Sequence, residues 1–117
     1  MTEVVVRYLE ALVAHDWPAL AECLTPGVVR VGPYGDTYAG RGPYVAFLAG
    51  LMPSLPGYAM EVHRVVGDGP VVLAELSETV EVDGAPLVTP ESLVFDLSAD
   101  GRIDHIAVYI RRTGEPP

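Results

Sequence analysis

Apolar and polar residues alternate along the stretch VVLAELSETVEV (71–82), and one polar residue breaks the pattern. Side chains of a β-strand point alternately to the two faces of a sheet, so every second residue belongs to one face. One set is apolar except for a central glutamate: Val72, Ala74, Leu76, Glu78, Val80 and Val82. A carboxylate removed from water costs several kcal/mol unless it is paired or its pKa moves. Glu78 is therefore a candidate for chemistry in apolar surroundings.

Helical spacing dominates the first half of the chain. A first helix is expected to begin at Thr2. Its apolar residues recur every three or four positions, and they are Val5, Tyr8, Leu9 and Leu12. Asp16 is the expected cap of a second, short helix that the sequence Thr25-Pro26-Gly27 ends. A third helix is predicted to begin at Pro43 and to end before one of the next two prolines.

The second half of the chain has the pattern of β-strands separated by tight turns. Four strands are predicted in YAMEVHRVV, VVLAELSETVEV, PLVTPESLVFDLS and RIDHIAVYI. The turns are Gly67-Asp68-Gly69, Asp83-Gly84 and Asp100-Gly101, which favour hairpins. A shorter strand, VVRVG, runs into a glycine- and tyrosine-rich loop before the third helix. We therefore expect an α+β fold, in which three N-terminal helices cover one face of a strongly bent antiparallel sheet and leave a cone-shaped pocket.

The strand after the Asp83-Gly84 turn carries a second carboxylate on an apolar face. That face is formed by Leu87, Thr89, Glu91, Leu93, Phe95 and Leu97. Adjacent strands joined by this turn would bring Glu91 close to Glu78. Three roles stay open for Glu78: pocket chemistry, an ion pair with Arg30, or exposure at the pocket rim. Pro90 precedes Glu91 and would favour a bulge that turns Glu91 outward.

The first and last strands of this half extend the inner face. In YAMEVHRVV we expect Met60, Val62 and Val66 to point inward, and His63 to point outward. In the last strand, one face carries Ile106, Val108 and Ile110, and the other carries His105, Ala107 and Tyr109. Both faces of that strand are fairly apolar. This pattern is typical of a sheet with a pocket on one side and a partner subunit on the other, so we expect a homodimer.

Composition and charge exclude several classes of partner. The net charge of −9 repels phosphate backbones and anionic lipids, and no basic stripe is present, so we expect neither nucleic acid nor membrane as a partner. No apolar run approaches ~18 residues. A single domain spanning residues 1–117, located in the cytoplasm and with a frayed TGEPP tail, is therefore predicted. The absence of Lys, Asn and Gln is associated with GC-rich bacterial genomes.

The histidines and the cysteine do not form a metal-binding pattern. Cys23 lies in an apolar context and is expected in the core. His15, His63 and His105 are expected to be structural or exposed, and no two of them have the spacing of metal ligands. We therefore expect neither a metal nor another cofactor.

Four segments together resemble the nuclear transport factor 2-like superfamily. They are VVVRYLEALVAHDW, VVRVGPYGD, GRGPYVAFL and DGRIDHIAVYI. Within the superfamily, the chain is most similar to the SnoaL-like, ketosteroid isomerase and limonene epoxide hydrolase branches. The resemblance covers nearly the whole chain, and it implies a cone-shaped α+β barrel, commonly dimeric through the outer sheet face, with a small apolar ligand inside.

The resemblance to ketosteroid isomerases carries over only part of their catalytic set. A pocket tyrosine in their first helix corresponds to Tyr8. Their general base, an aspartate at the end of the first strand, corresponds to Gly32. Their protonated aspartate falls near the sequence PESL, at Glu91, Ser92 or Leu93. The resemblance therefore implies a tyrosine and a candidate acid without that base.

The resemblance to limonene epoxide hydrolases is also partial. The first acid of their Asp–Arg–Asp set corresponds to Glu78, and the arginine two residues earlier corresponds to Leu76. The second aspartate falls near Val108, while the tyrosine and asparagine that hold water fall at Arg30 and Gly32. One carboxylate of that set is therefore kept.

The candidate site combines these residues. As catalytic residues we predict Glu78, Tyr8 and Glu91. As ligand-binding residues we predict Arg30, Tyr34, Tyr38, Leu76, Val80, Leu93, Phe95 and Val108. The side chain of Arg30 has two possible orientations, because Val29 and Val31 compete with it for the core face. An inward Arg30 would hold Glu78 ionised as a base, whereas an outward Arg30 would leave Glu78 as a neutral donor or acid.

Three functions agree with this sequence. The first is an acid–base enzyme, of isomerase, cyclase, dehydratase or hydrolase type, that acts on a small hydrophobic molecule in a buried pocket. The second is a non-catalytic binder or carrier of such a molecule. The third is a dimeric interaction module without a ligand. Glu78 on an apolar face favours the first, and the incomplete catalytic sets favour the second.

Overall fold

Three helices precede most of the sheet in the computed structural model, which describes residues 2–111. They are α1 (Glu3–Ala14), α2 (Trp17–Glu22) and α3 (Arg41–Leu51), and a 3₁₀ turn at Met52–Ser54 continues α3. The predicted cap of α2 is present, since a carboxylate oxygen of Asp16 accepts a hydrogen bond from the Ala19 backbone N–H at 3.2 Å.

Six strands form one open sheet beside these helices. They are β1 (Leu24–Val31), β2 (Thr37–Ala39), β3 (Ala59–Val66), β4 (Val71–Val82), β5 (Ala85–Leu97) and β6 (Ile103–Ile110). Their order in the sheet is β2-β1-β6-β5-β4-β3. All neighbouring strands are antiparallel except β1 and β6, which are parallel, so the sheet is mixed. The predicted α+β class and the cone-like arrangement are confirmed.

A two-residue turn fixes the pairing of β4 with β5. Asp83 and Gly84 both have positive φ angles, of 53° and 78°. A type I′ hairpin turn needs two such residues, and Asp-Gly is a preferred pair for it. The register then runs without interruption from Val82 opposite Ala85 to Val71 opposite Asp96. The bulge that Pro90 would favour is therefore absent, and Glu91 stays on the inner face.

The helices cover the inner face of the sheet and enclose the core. The α1 stripe is buried as its spacing predicts, with Val5 and Tyr8 at most 1% exposed. The edge of the Phe95 ring on β5 meets the Tyr8 ring, with ring centroids 5.6 Å apart. Cys23 is buried, as expected from its apolar context. Together, α1 and the inner faces of β4, β5 and β6 form the core.

A β-bulge in β3 overturns one prediction about its inner face. Val62 pairs with Leu76, but Arg64 pairs with Glu75, so His63 is an extra residue between them. The bulge shifts the alternation by one position. Val65, which pairs with Ala74, packs against the core in place of Val66, which is 45% exposed. The prediction that Val66 points inward is wrong for this reason.

Three predicted boundaries also differ from the structure. Helix α2 already ends at Glu22, so Thr25-Pro26-Gly27 does not end the helix but lies within β1. The pairing of β1 with β6 shifts register in this segment, between Leu24 and Val29. The loop after β1 contains the short strand β2. Helix α3 begins at Arg41, two residues before Pro43, which takes a first-turn position where its missing N–H costs nothing.

Two further expectations concern membranes and the C-terminal tail. Within residues 2–111, no helix is long and apolar enough to span a membrane. The tail TGEPP, for which fraying is predicted, lies outside the described residues.

Replacement of Phe95 by alanine tests the packing of the core. Phe95 is fully buried, so we expect Phe95→Ala to lower the free energy of unfolding by about 3–5 kcal/mol through loss of burial and the cavity it leaves. Val13→Ala is the control at an exposed position of α1, where the change should stay within about 0.5 kcal/mol. Urea unfolding measures both variants. Equal effects would contradict the assignment of Phe95 to the core.

Candidate functional site

A cavity of about 280 Å³ lies between the helices and the inner face of the sheet. Most of its wall is apolar, and typical wall residues are Leu48, Met52, Leu55, Met60, Val80 and Ile110. A smaller set of ionisable and phenolic side chains also faces the cavity, and these are Tyr8, Arg30, Tyr44, Tyr58, Glu78 and Glu91. Such a combination of an apolar wall with a few polar groups is typical of small-molecule sites.

Glu78 and Glu91 are diagonal neighbours on adjacent strands. Glu78 lies opposite Thr89 and Glu91 lies opposite Leu76, so each carboxyl group is two residues from the position facing the other. This offset is within reach of long side chains on one face of an antiparallel pair. The two carboxyl groups share a hydrogen bond in the cavity. This arrangement agrees with the prediction from the sequence that Glu78 and Glu91 lie close together.

The Glu78–Glu91 carboxyl pair holds a proton at neutral pH. Burial, the hydrogen bond with Glu78 and the charge of Glu78 together raise the pKa of Glu91 from an ordinary value of 4.5 to about 9, and burial makes the largest contribution. The Arg30 guanidinium opposes part of this rise in pKa. Glu91 is therefore a neutral carboxylic acid at neutral pH, and it can donate a hydrogen bond or a proton.

Tyr58 is the second partner of Glu78. Its phenol donates a hydrogen bond to Oε2 of Glu78. Burial raises the pKa of Tyr58 far above its usual value, and the nearby Glu78 carboxylate adds to the rise, so the phenol keeps its proton. We did not predict this residue from the sequence. A signal was available, because Tyr58 lies two residues before Met60 and shares its inward parity.

Tyr8 and Tyr44 form a buried pair of phenols deeper in the site. Their hydroxyl groups are hydrogen-bonded to each other across α1 and α3. Burial is the main reason that both pKa values lie above their usual range. Tyr44 was also missed from the sequence, although Tyr44, Leu48 and Met52 recur at the four-residue spacing of one helix face.

Arg30 faces the cavity, which resolves its two possible orientations. Its side chain lies on the same face of β1 as Val28, which is fully buried, and on the opposite face from Val29 and Val31. The guanidinium Nη1 donates to Oδ2 of Asp36 at 2.9 Å. The alternative in which Arg30 forms an ion pair with Glu78 is therefore wrong, because Asp36 in the loop after β1 takes that place.

The predicted site residues divide into two groups in the structure. Most of them face the same cavity, and these are Tyr8, Arg30, Tyr34, Leu76, Glu78, Val80, Glu91, Leu93 and Val108. Tyr38 and Phe95 instead lie behind the cavity wall. Tyr38 stacks on Phe47 with ring centroids 4.1 Å apart, and Phe95 packs behind Tyr8. Phe95 was included because strand alternation gives the face of a residue but not its depth, and Tyr38 was included because it lies in the glycine- and tyrosine-rich loop.

The histidines lie away from the cavity. His63 contacts Ser77 and His105 lies 3.6 Å from Asp96, and both histidines belong to the outer side of the sheet. His15 ends α1 and stacks on Trp17. Among residues 2–111, no group of three or more histidine, cysteine, aspartate or glutamate side chains has the arrangement of a metal site.

The sequence family agrees with this architecture. The chain belongs to the SnoaL-like domain family, whose pattern matches residues 5–106. No curated protein sequence matches the chain. The resemblance to SnoaL-like proteins is confirmed.

Solved structures share the fold at low sequence identity. A candidate SnoaL-like polyketide cyclase from Shewanella denitrificans is 15% identical, with a TM-score of 0.82 over 94% of this chain and 89% of that one. A limonene epoxide hydrolase-like (LEH-like) enzyme from M. tuberculosis is 23% identical, with a TM-score of 0.80 over 93% and 80%. A protein with a ketosteroid isomerase-like fold from Catenulispora acidiphila, in complex with trimethylamine, is 17% identical, with a TM-score of 0.79 over 92% and 84%. These similarities show the fold, and a fold by itself does not determine the chemistry of a site.

The raised pKa of Glu91 predicts how stability depends on pH. The folded state keeps a proton on Glu91 up to about pH 9, whereas the unfolded chain releases it near the ordinary value of 4.5. The stabilising contribution of the protonated form is therefore complete below that ordinary value and is lost as the pH rises through the folded pKa. We expect the free energy of unfolding to fall across this interval by more in the wild-type protein than in Glu91→Gln.

Urea titrations across the same pH interval measure this difference. Glu61→Gln is the matched control, because Glu61 is an exposed glutamate on the neighbouring strand β3. Its pH profile should run parallel to that of the wild-type protein. Parallel profiles for Glu91→Gln and the wild-type protein would contradict the assignment of the proton to Glu91.

Proposed function

We propose that this protein is an acid–base enzyme that moves a proton on a small, mostly hydrophobic substrate, as isomerases, cyclases and hydrolases do. The observation that carries the proposal is the Glu78–Glu91 carboxyl pair in an apolar cavity. Enzymes place acids and bases where burial and a neighbouring charge separate their protonation states. The cavity of about 280 Å³ is of a size that suits a small ligand.

The two carboxyl groups take different roles in this proposal. Glu78 accepts hydrogen bonds from Tyr58 and from Glu91, an arrangement that stabilises a carboxylate, so Glu78 serves as the general base. Glu91 carries the proton and serves as the general acid. Glu78 would take a proton from the substrate or from a water molecule, while Glu91 would donate its proton to a substrate oxygen. Return of both protons at the end of the cycle restores the pair.

Tyr58 acts through Glu78 in this scheme and is a positioning residue. Its hydrogen bond to Oε2 fixes the orientation of the Glu78 carboxylate. The Tyr8–Tyr44 pair and Arg30 line the same cavity and add hydrogen-bond donors to its wall. Donors that are already oriented stabilise negative charge that develops on a substrate oxygen during the reaction.

Replacement of Glu78 by glutamine tests the proposal. Glu78→Gln keeps the size of the side chain and removes the base, so we expect turnover to fall by about a hundredfold to ten-thousandfold. The assay follows a panel of cyclic enones and small epoxides by chromatography. Glu75→Gln on the opposite face of the same strand is the matched control and should keep wild-type turnover, because Glu75 contacts Arg64 outside the cavity.

Two outcomes would contradict an enzymatic role. Equal turnover by Glu78→Gln and the wild-type protein would remove Glu78 from the chemistry. Tight binding of panel compounds without turnover by the wild-type protein would identify a binder or carrier instead. Thermal unfolding of both variants distinguishes a loss of the base from a loss of the fold.

We also propose that the protein forms a homodimer through the outer face of the sheet. Exposed apolar side chains on that face support this, since Leu73, Val88 and Tyr109 are 39%, 48% and 61% exposed. Burying such a face is favourable because it removes apolar area from water.

Sedimentation equilibrium tests the proposed dimer. The wild-type protein should have twice the mass of the 12.5 kDa chain, and Val88→Glu should have the mass of one chain. Val13→Glu introduces the same charge at an exposed position of α1 and should leave the dimer intact. A monomeric wild-type protein, or a dimer that Val88→Glu does not affect, would contradict the proposed interface.

A further inference from the structure

Arg30 is the one cationic side chain on the cavity wall among residues 2–111. Its side chain is 16% exposed, so most of it is removed from water. A buried guanidinium is stabilised by hydrogen bonds to nearly all of its N–H groups, since each unsatisfied group loses its hydration without compensation. The partners of Arg30 therefore indicate which of its donors remain available to a ligand.

Within the described chain, one buried donor of Arg30 has no partner. Nη1 donates to Asp36 and the guanidinium also forms a hydrogen bond with the Tyr44 hydroxyl, but Nε is buried and makes no hydrogen bond to residues 2–111. Leaving a buried donor unsatisfied costs about 1–3 kcal/mol, and more for a charged group. The Arg30 side chain as a whole lines the cavity, so a molecule that fills the cavity can supply a further acceptor to its guanidinium.

The surroundings of Arg30 hold its guanidinium in place. The group lies 5.8 Å from the centroid of the Phe47 ring, in a cation–π arrangement. Gly32 leaves the space that the ion pair needs, because a Cβ at this position would overlap the Asp36 carboxylate and lie 2.6 Å from Nη1 of Arg30. A fixed donor set of this kind loses little entropy when a ligand binds.

We propose that the ligand is a small carboxylic acid whose carboxylate binds the Arg30 guanidinium while its apolar part fills the cavity. The proposal rests on the proposed function, in that it assigns the substrate class of the same cavity. A guanidinium presents pairs of parallel N–H groups that match the two oxygens of a carboxylate. The apolar wall at Leu48, Met52 and Leu55 accommodates the rest of the ligand.

Charge and geometry favour a carboxylate over a neutral carbonyl group. The Asp36 carboxylate already accepts a hydrogen bond from the same guanidinium, which shows that the surroundings of Arg30 accommodate a carboxylate group. Asp36 is 43% exposed, and its carboxylate can turn to solvent when a ligand competes for Arg30. Glu91 is neutral at neutral pH, which limits the repulsion that a ligand carboxylate meets inside the cavity.

Matched pairs of acids and amides test this inference. The cavity volume corresponds to about nine water molecules at about 30 Å³ each. Benzoate, cyclohexanecarboxylate and hexanoate have a suitable size, and each is compared with its primary amide by isothermal titration calorimetry at neutral pH. We expect each carboxylate to bind about ten- to hundredfold more tightly than its amide, as for hydrogen bonds to a charged partner.

Three variants locate the effect. Arg30→Met should lower the carboxylate affinity about ten- to hundredfold and change the amide affinity less than about twofold. Asp36→Asn removes the competing anion and should raise the carboxylate affinity severalfold, with the amide again unchanged. Arg64→Met is the control, because Arg64 pairs with Glu75 on the outer face, and both affinities should stay at the wild-type values.

The outcomes separate this inference from the proposed function. Equal binding of acids and amides would overturn the role of Arg30 and leave the acid–base proposal in place. Binding of no compound would count against the cavity as a site for such ligands and so against both proposals. If Arg30→Met fails to fold, Asp36→Asn decides, since an unchanged ratio of carboxylate to amide affinity would overturn the inference.

Discussion

The structure depends on one constraint, the burial of two carboxyl groups on adjacent strands of a sheet. The Asp83-Gly84 turn sets the register of β4 and β5, and the register sets the diagonal contact of Glu78 with Glu91. A slip by one residue would move every β5 side chain to the opposite face and bring Glu91 into water. A backbone conformation at the turn therefore determines the electrostatics of a cavity several residue pairs away.

That constraint explains the groups around the pair. Two adjacent, half-buried carboxyl groups cannot both be charged without a cost, so the pair keeps a proton on Glu91. The charge that remains is stabilised by donors, and Tyr58 supplies one at Glu78. The helices cover part of the same space, and the lower exposure to water strengthens each of these contacts. The proton on Glu91 and the phenol of Tyr58 are thus consequences of the same burial.

Much of the fold and part of the site were predictable from the sequence. Alternation places the inner residues of β4, β5 and β6 correctly, because these strands pair without a break along the cavity. It fails in β3, because the bulge at His63 brings Val65 and not Val66 to the inner face. The apolar pattern of the sequence does not reveal such a bulge. The orientation of Arg30 was open because valines flank it on both sides. Tyr58 was missed because it lies just before β3, although its side chain points to the inner face of that strand.

The positions of Arg30 and Glu78 explain why the space between them is a cavity and not a closed core. A cation and an anion in one apolar interior attract each other strongly, and in a tightly packed core they would form an ion pair. Here each has another partner: Asp36 holds Arg30 from the loop side, and Tyr58 and Glu91 hold Glu78 from the sheet side. The opposite charges therefore line one cavity with separate partners, and a ligand with an acceptor for Arg30 and a reactive group beside Glu78 would contact both.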